Sequence, residues 1–131
     1  MSRNQVAHFE IYGDDPGKLT QFYTSLFDWK AEPVPDMSYT LIKTVETDAK
    51  GTPTQPGGIN GGLMKRPAPE LRGFINYVNV ESVDGALERA QKLGAKVMRS
   101  RSPVPGMGWF AMLLDPQGNP FAVWENDPKA K

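Results

Sequence analysis

The stretch that decides the fold is Val6-Ala7-His8-Phe9-Glu10-Ile11-Tyr12, followed by Gly13-Asp14-Asp15-Pro16 and the spaced residues Leu19, Phe22, Tyr23 and Leu26. The first seven residues alternate. Val6, His8, Glu10 and Tyr12 point one way, and Ala7, Phe9 and Ile11 the other. That is the period of a strand with one apolar and one mixed face. Asp15 can cap a helix and Pro16 suits its first position. The four spaced residues then form one apolar helical stripe. The spacing predicts a helix over Pro16–Phe27, with Phe22, Tyr23 and Phe27 in the core.

Outward from this segment, short strands are expected around Trp29–Val34, Tyr39–Lys43 and Gly58–Met64. Pro33 and Pro35 mark the first of them as an edge. The Thr-, Gly-, Pro- and Lys-rich run Val45 to Gly57 reads as a mobile loop, and Arg66 to Arg72 as a linker. The pattern then restarts. Phe74 to Val80 alternates, Asp84 is expected to cap a second helix over Asp84–Leu93, and Gly94 to stop it. Strands at Ala95–Arg101, Trp109–Leu114 and Phe121–Glu125 close the chain, the last after the turn Asp115-Pro116-Gln117-Gly118-Asn119. A shift of 69 residues lays His8 on Tyr77, Glu10 on Asn79 and Asp15 on Asp84. The chain therefore reads as strand–helix–three strands, twice, in one domain of 131 residues, with modules at 5–65 and 73–126.

Composition narrows the function classes. A chain this size buries about two-thirds of its unfolded surface, enough for a core without staples. With no cysteine there is no disulfide, thiolate nucleophile or zinc–sulfur site. The 15 basic and 15 acidic residues balance, and Lys and Arg are scattered, although Arg99 and Arg101 sit close together. Neither nucleic acid nor an acidic membrane is an expected partner. There is no apolar run of the roughly 20 residues that span a bilayer, and Met1 to Gln5 lacks the apolar segment of a signal peptide. The expectation is a soluble, cytoplasmic protein.

The halves resemble the paired βαβββ modules of the vicinal-oxygen-chelate group, which includes glyoxalase I, extradiol dioxygenases and bleomycin-resistance proteins. The opening residues carry the resemblance: Val6 to Ile11, Asp15-Pro16, and Phe22-Tyr23-Thr24-Ser25-Leu26-Phe27-Asp28-Trp29. Asp115 to Phe121 resembles the group's last hairpin, and Gly61-Gly62-Leu63-Met64 its small members of unassigned activity. The resemblance implies an α+β fold of curled mixed sheets forming a trough. It implies one divalent ion held by His and Glu at four strand positions. Here these positions carry His8, Leu63 or Met64, Tyr77 and Glu125, so only His8 and Glu125 suit a metal. As the sole histidine, His8 excludes a two-His iron site within one chain. It further implies a homodimer, since members of this length commonly build the trough at or beside a two-fold axis.

His8 and Glu125 are thus candidate metal ligands or a catalytic acid–base pair. The plain alternatives are a hydrogen-bonded strand histidine and an exposed strand-end carboxylate. Glu10, Tyr77, Asn79 and Trp109 are the candidate ligand-binding residues, and Tyr77, Trp109 and Phe121 would suit a flat or aromatic ligand. Core packing explains these aromatics, with Tyr39 and Trp124, nearly as well. Gly57-Gly58 and Gly61-Gly62 are no phosphate loop, because no Lys-Ser/Thr follows and no helix pattern opens there. They fit strand curvature or close backbone approach. Two functions follow: a small-molecule binder with an incomplete metal site, or a metal-dependent lyase, isomerase or dioxygenase whose ligands a partner subunit completes. An interaction module without a ligand is the third class.

Overall fold

The computed structural model describes residues 4–131. Its elements are β1 (Val6–Gly13), α1 (Pro16–Leu26), β2 (Lys30–Val34), β3 (Tyr39–Lys43), β4 (Gly61–Lys65), β5 (Phe74–Asn79), α2 (Val83–Lys92), β6 (Lys96–Val104), β7 (Gly108–Leu114) and β8 (Pro120–Asn126). The βαβββ order occurs twice, as expected. Two compact units result, one spanning His8–Ile75 and the other Asn76–Lys131 together with residues 4–7.

In the first unit the strands run β2-β3-β4-β1, with β1 parallel to β4 and the other pairs antiparallel. Asp15 caps α1 by accepting from the Lys18 amide at 3.1 Å, and Pro16 opens the helix. Phe9, Ile11, Ile42 and Leu63 form the core under the helix, with Leu19, Tyr23, Trp29 and Ile59 against them. Two of the expected core aromatics are not there. Phe22 is 56% exposed and Phe27 43%. Of the apolar residues of α1, Leu19 and Tyr23 pack against this core, and Phe22 lies to their side, edge-on to Tyr23. The stretch 45–57, expected as a loop, carries a small hairpin-like turn. Thr47 bridges Pro53, and the Asn60 side chain binds Thr44 and Val45 backbone at its base.

In the second unit the order is β5-β8-β7-β6, with β5 parallel to β8. Val83, Leu87, Ala111, Leu113 and Val123 form its core beneath α2, joined by Val97, Trp109 and Phe121. The cap of α2 is Ser82, which accepts from the Gly85 amide at 3.0 Å, and not Asp84. Asp84 sits inside the first turn, where its charge favours the positive helix end without capping it. Starting the helix earlier lets Val83 become fully buried. The helix ends as expected, with Gly94 at φ 101°, but Leu93 is left 79% exposed. Among the described residues no helix is long and apolar enough to cross a membrane.

Candidate functional site

In the first unit, register decides which side chains share a face. Glu10 is beside Gly62, Tyr12 beside Met64, and Leu41 beside Gly62. His8, Glu10, Tyr12 and Tyr39 therefore project from the face opposite α1. They form a hydrogen-bonded chain. The Tyr39 hydroxyl donates to Glu10 Oε2 at 2.8 Å, and the Tyr12 hydroxyl donates to Glu10 Oε1 at 2.5 Å. His8 Nε2 lies 2.8 Å from the Tyr39 hydroxyl. Tyr39 has one proton and gives it to Glu10, so Nε2–H of His8 is the donor and Nδ1 carries the ring's lone pair.

Burial sets the protonation states. It lowers the pKa of His8 below its ordinary value, against an upward pull from the Glu10 charge. It raises that of Tyr39, and the Glu10 charge and hydrogen bond and the neighbouring Tyr12 raise it further. Tyr39 thus remains a phenol, and a neutral imidazole is favoured at His8. Glu10 is the buried charged side chain among the described residues, at 6% exposure. Its two phenol donors offset the cost of removing a carboxylate from water.

Gly62 makes this arrangement possible. A Cβ there would lie 1.8 Å from the Tyr39 hydroxyl, and one on Gly61 would lie 2.4 Å from the Phe9 carbonyl oxygen. The close approach expected of the glycine pair is therefore real. Tyr12 and Tyr39 are the members that sequence reasoning did not select. Tyr12 shares strand parity with His8, and Gly62 marks the space Tyr39 fills.

The second unit separates the other candidates onto two faces. Trp109 is beside Glu125, Ala111 beside Val123 and Leu113 beside Phe121, so Trp109, Phe121 and Glu125 face α2. Tyr77 is beside Ala122 and Asn79 beside Trp124, on the opposite face. A single wall of Tyr77, Trp109, Phe121 and Glu125 does not form. Alternation orders residues within a strand, but only inter-strand register says which face each set takes. Glu125 Oε1 accepts from the Val83 amide at 2.9 Å and so binds the start of α2. Trp109 donates from Nε1 to Asp127 Oδ2 at 2.9 Å, with the Arg101 guanidinium 3.6 Å from its ring centre. The Trp109 bond, then the Lys129 amide, hold the Asp127 carboxyl below its ordinary range. Asn79 and Glu125 do meet at a recess of about 230 Å³ at the ends of β5 and β8, also lined by Trp124 and Asn126.

The donor set does not suit a divalent ion. Among the described residues no three His, Cys, Asp or Glu side chains gather to hold one. His8 Nε2 is committed to Tyr39, both Glu10 oxygens to phenols, and Glu125 to a helix amide.

Comparison with known proteins agrees with the topology. A family model described as "Glyoxalase-like domain" matches residues 9–124. A Mycobacterium tuberculosis protein named "Putative glyoxylase CFP32" is 33% identical over 92% of this chain and 43% of its own length. The anthracycline biosynthesis protein DnrV of Streptomyces peucetius is 27% identical over 90% of this chain and 46% of its own. The chain thus spans less than half the length of these relatives. Among solved structures, Streptomyces coelicolor methylmalonyl-CoA epimerase aligns over 99% of both chains, with a TM-score of 0.62 and 15% identity. That likeness concerns the fold.

Proposed function

The chain belongs to the glyoxalase-like family of the vicinal-oxygen-chelate superfamily, and on that premise we propose that it binds a small planar organic ligand at the His8–Tyr39–Glu10 face without a divalent ion. The observation that carries this reading is the Tyr39 hydroxyl held between His8 and the buried Glu10. A neutral imidazole with its Nε2–H given to a phenol has Nδ1 as its proton-accepting atom, and burial leaves the ring a weaker base than an exposed histidine. When His8 accepts a proton, the new charge faces a phenol whose own proton already leans on a carboxylate. Such a chain offsets part of the cost that burial sets on an imidazolium. It therefore suits ligands with an acidic or hydrogen-bonding proton, whether they are sequestered or deprotonated.

His8 is the sole histidine, so its ring signals report on the site directly. In a screen of small planar compounds, binders should shift those signals, and His8→Ala should weaken them at least tenfold. A compound that binds tightly and leaves the His8 signals unmoved would defeat the assignment. Metal analysis tests the other half. Protein prepared without added metal should carry well under one divalent ion per chain. Stoichiometric metal surviving a chelator would instead favour a metal-dependent lyase, isomerase or dioxygenase.

We also propose a homodimer. The Pro33-bearing β2 is an edge strand, and Phe22, Leu26 and Phe27 leave apolar surface on and beside α1. Sedimentation showing only a 14.5 kDa species at tens of micromolar would contradict it.

A further inference from the structure

In the second unit, the strand face opposite α2 carries two lateral rows. One is Arg99–Met112–Ala122–Tyr77 and the other Ser102–Phe110–Trp124–Asn79, each crossing β6, β7, β8 and β5. Three aromatic rings thus share one face, with Phe110 and Trp124 half-buried and Tyr77 6.5 Å from Phe110. The cation at their edge is Arg99.

Arg99 reaches this face through a backbone irregularity. Val97 packs beneath α2, and regular alternation would put Arg99 there too. The register between β6 and β7 slips between Val97 and Arg99 and again between Arg99 and Ser102. The first slip turns Arg99 to the aromatic face. The second returns Ser102 to that face, while Arg101 stacks on Trp109 on the other. Bulges that re-aim a side chain concentrate beside functional sites.

The side chain is also held. Arg99 Nε donates to Ser102 Oγ at 3.1 Å, and Ser102 is itself oriented by donating to the Ser100 carbonyl at 2.9 Å. The guanidinium lies 5.1 Å from the Phe110 ring centre. No acidic side chain pairs with it among the described residues, so its two Nη groups have no ion-pair partner. A fixed guanidinium with its fork available beside aromatic rings matches a flat ring bearing a carboxylate, which an arginine fork binds through two parallel bonds.

We propose that this face recognises planar aromatic carboxylates, with Arg99 as the anion anchor and Phe110 and Trp124 as the apolar wall. The proposal goes beyond the His8 reading and uses none of its residues, so either can fail alone. The test is calorimetric titration with 2-naphthoate and its uncharged counterpart 2-naphthamide at fixed ionic strength. The protein should bind the carboxylate at least tenfold more tightly. Arg99→Gln should erase the preference and change 2-naphthamide affinity less than twofold. Arg101→Gln, on the opposite face, should keep the preference. Equal affinity for the two probes in the unaltered protein, binding of neither, or a preference that survives Arg99→Gln or vanishes equally in Arg101→Gln would overturn the proposal.

Discussion

The Tyr39 hydroxyl occupies space that a side chain on Gly62 would need: an ideal Cβ there would lie only 1.8 Å from it. Gly62→Ala must therefore displace the ring, and Glu10 then loses one of its two phenol donors. Overpacking costs about 1–3 kcal/mol, and a buried acceptor left short of a donor costs about the same. Chemical denaturation should show a loss in that range. In a Tyr39→Ala background the same substitution should cost much less, because the clash is gone. An equal cost in both backgrounds would show that the two residues are not coupled.

The pH dependence follows from His8. Its folded pKa lies below 6.5, chiefly because burial disfavours the imidazolium. Between the folded value and 6.5 the unfolded chain binds more protons, so stability rises with pH through that window. The contribution is complete above about pH 6.5 and is lost as pH falls through the folded pKa. NMR titration of the single histidine should give a midpoint below 6.5, and His8→Gln should flatten the stability profile there. A midpoint above 6.5 would mean that the Glu10 charge outweighs burial.

Glu125 should matter for stability more than its place on the last strand suggests. It accepts the Val83 amide at the start of α2 while Ser82 satisfies Gly85. Removing an acceptor from a helix N-terminus costs about 0.5–2 kcal/mol. Glu125→Ala and Ser82→Ala should each lower the melting point by a similar amount. Asp84→Ala should cost less, since Asp84 offers only a favourable charge, worth about 0.3–1 kcal/mol. A larger effect at Asp84 than at Ser82 would reverse the assignment of the cap.

Much of this was legible in the residues. The doubled strand–helix–strands order, the Asp15 cap and the Gly94 stop each rest on local chemistry, which sequence carries directly. The shared face of His8 and Glu10 follows from alternation alone. What failed were relations between elements. Glu125, Trp109 and Tyr77 each alternate within their strands, yet their faces depend on register between β5, β7 and β8. The double slip in β6 that separates Arg99 from Arg101 has no signature in Lys96 to Val104. Ser82 and Asp84 are both good caps, and the choice between them rests on burying Val83.

Phe22 illustrates the same limit and gives the last prediction. Its spacing with Leu19, Tyr23 and Leu26 looks like core, but of these four only Leu19 and Tyr23 pack against the core. At 56% exposure Phe22 has little buried area to lose. Phe22→Ala should cost less than about 1 kcal/mol. Leu63, at 1% exposure within the first core, should cost about 2–5 kcal/mol when changed to alanine, because the surrounding side chains cannot fully close the cavity. Melting of the two variants side by side, at low protein concentration so that association does not contribute, checks the contrast. If Phe22→Ala melts as early as Leu63→Ala under those conditions, the outer face of α1 is covered within the monomer. If the gap appears only on dilution, Phe22 is buried by a second copy of the chain, as the homodimer requires.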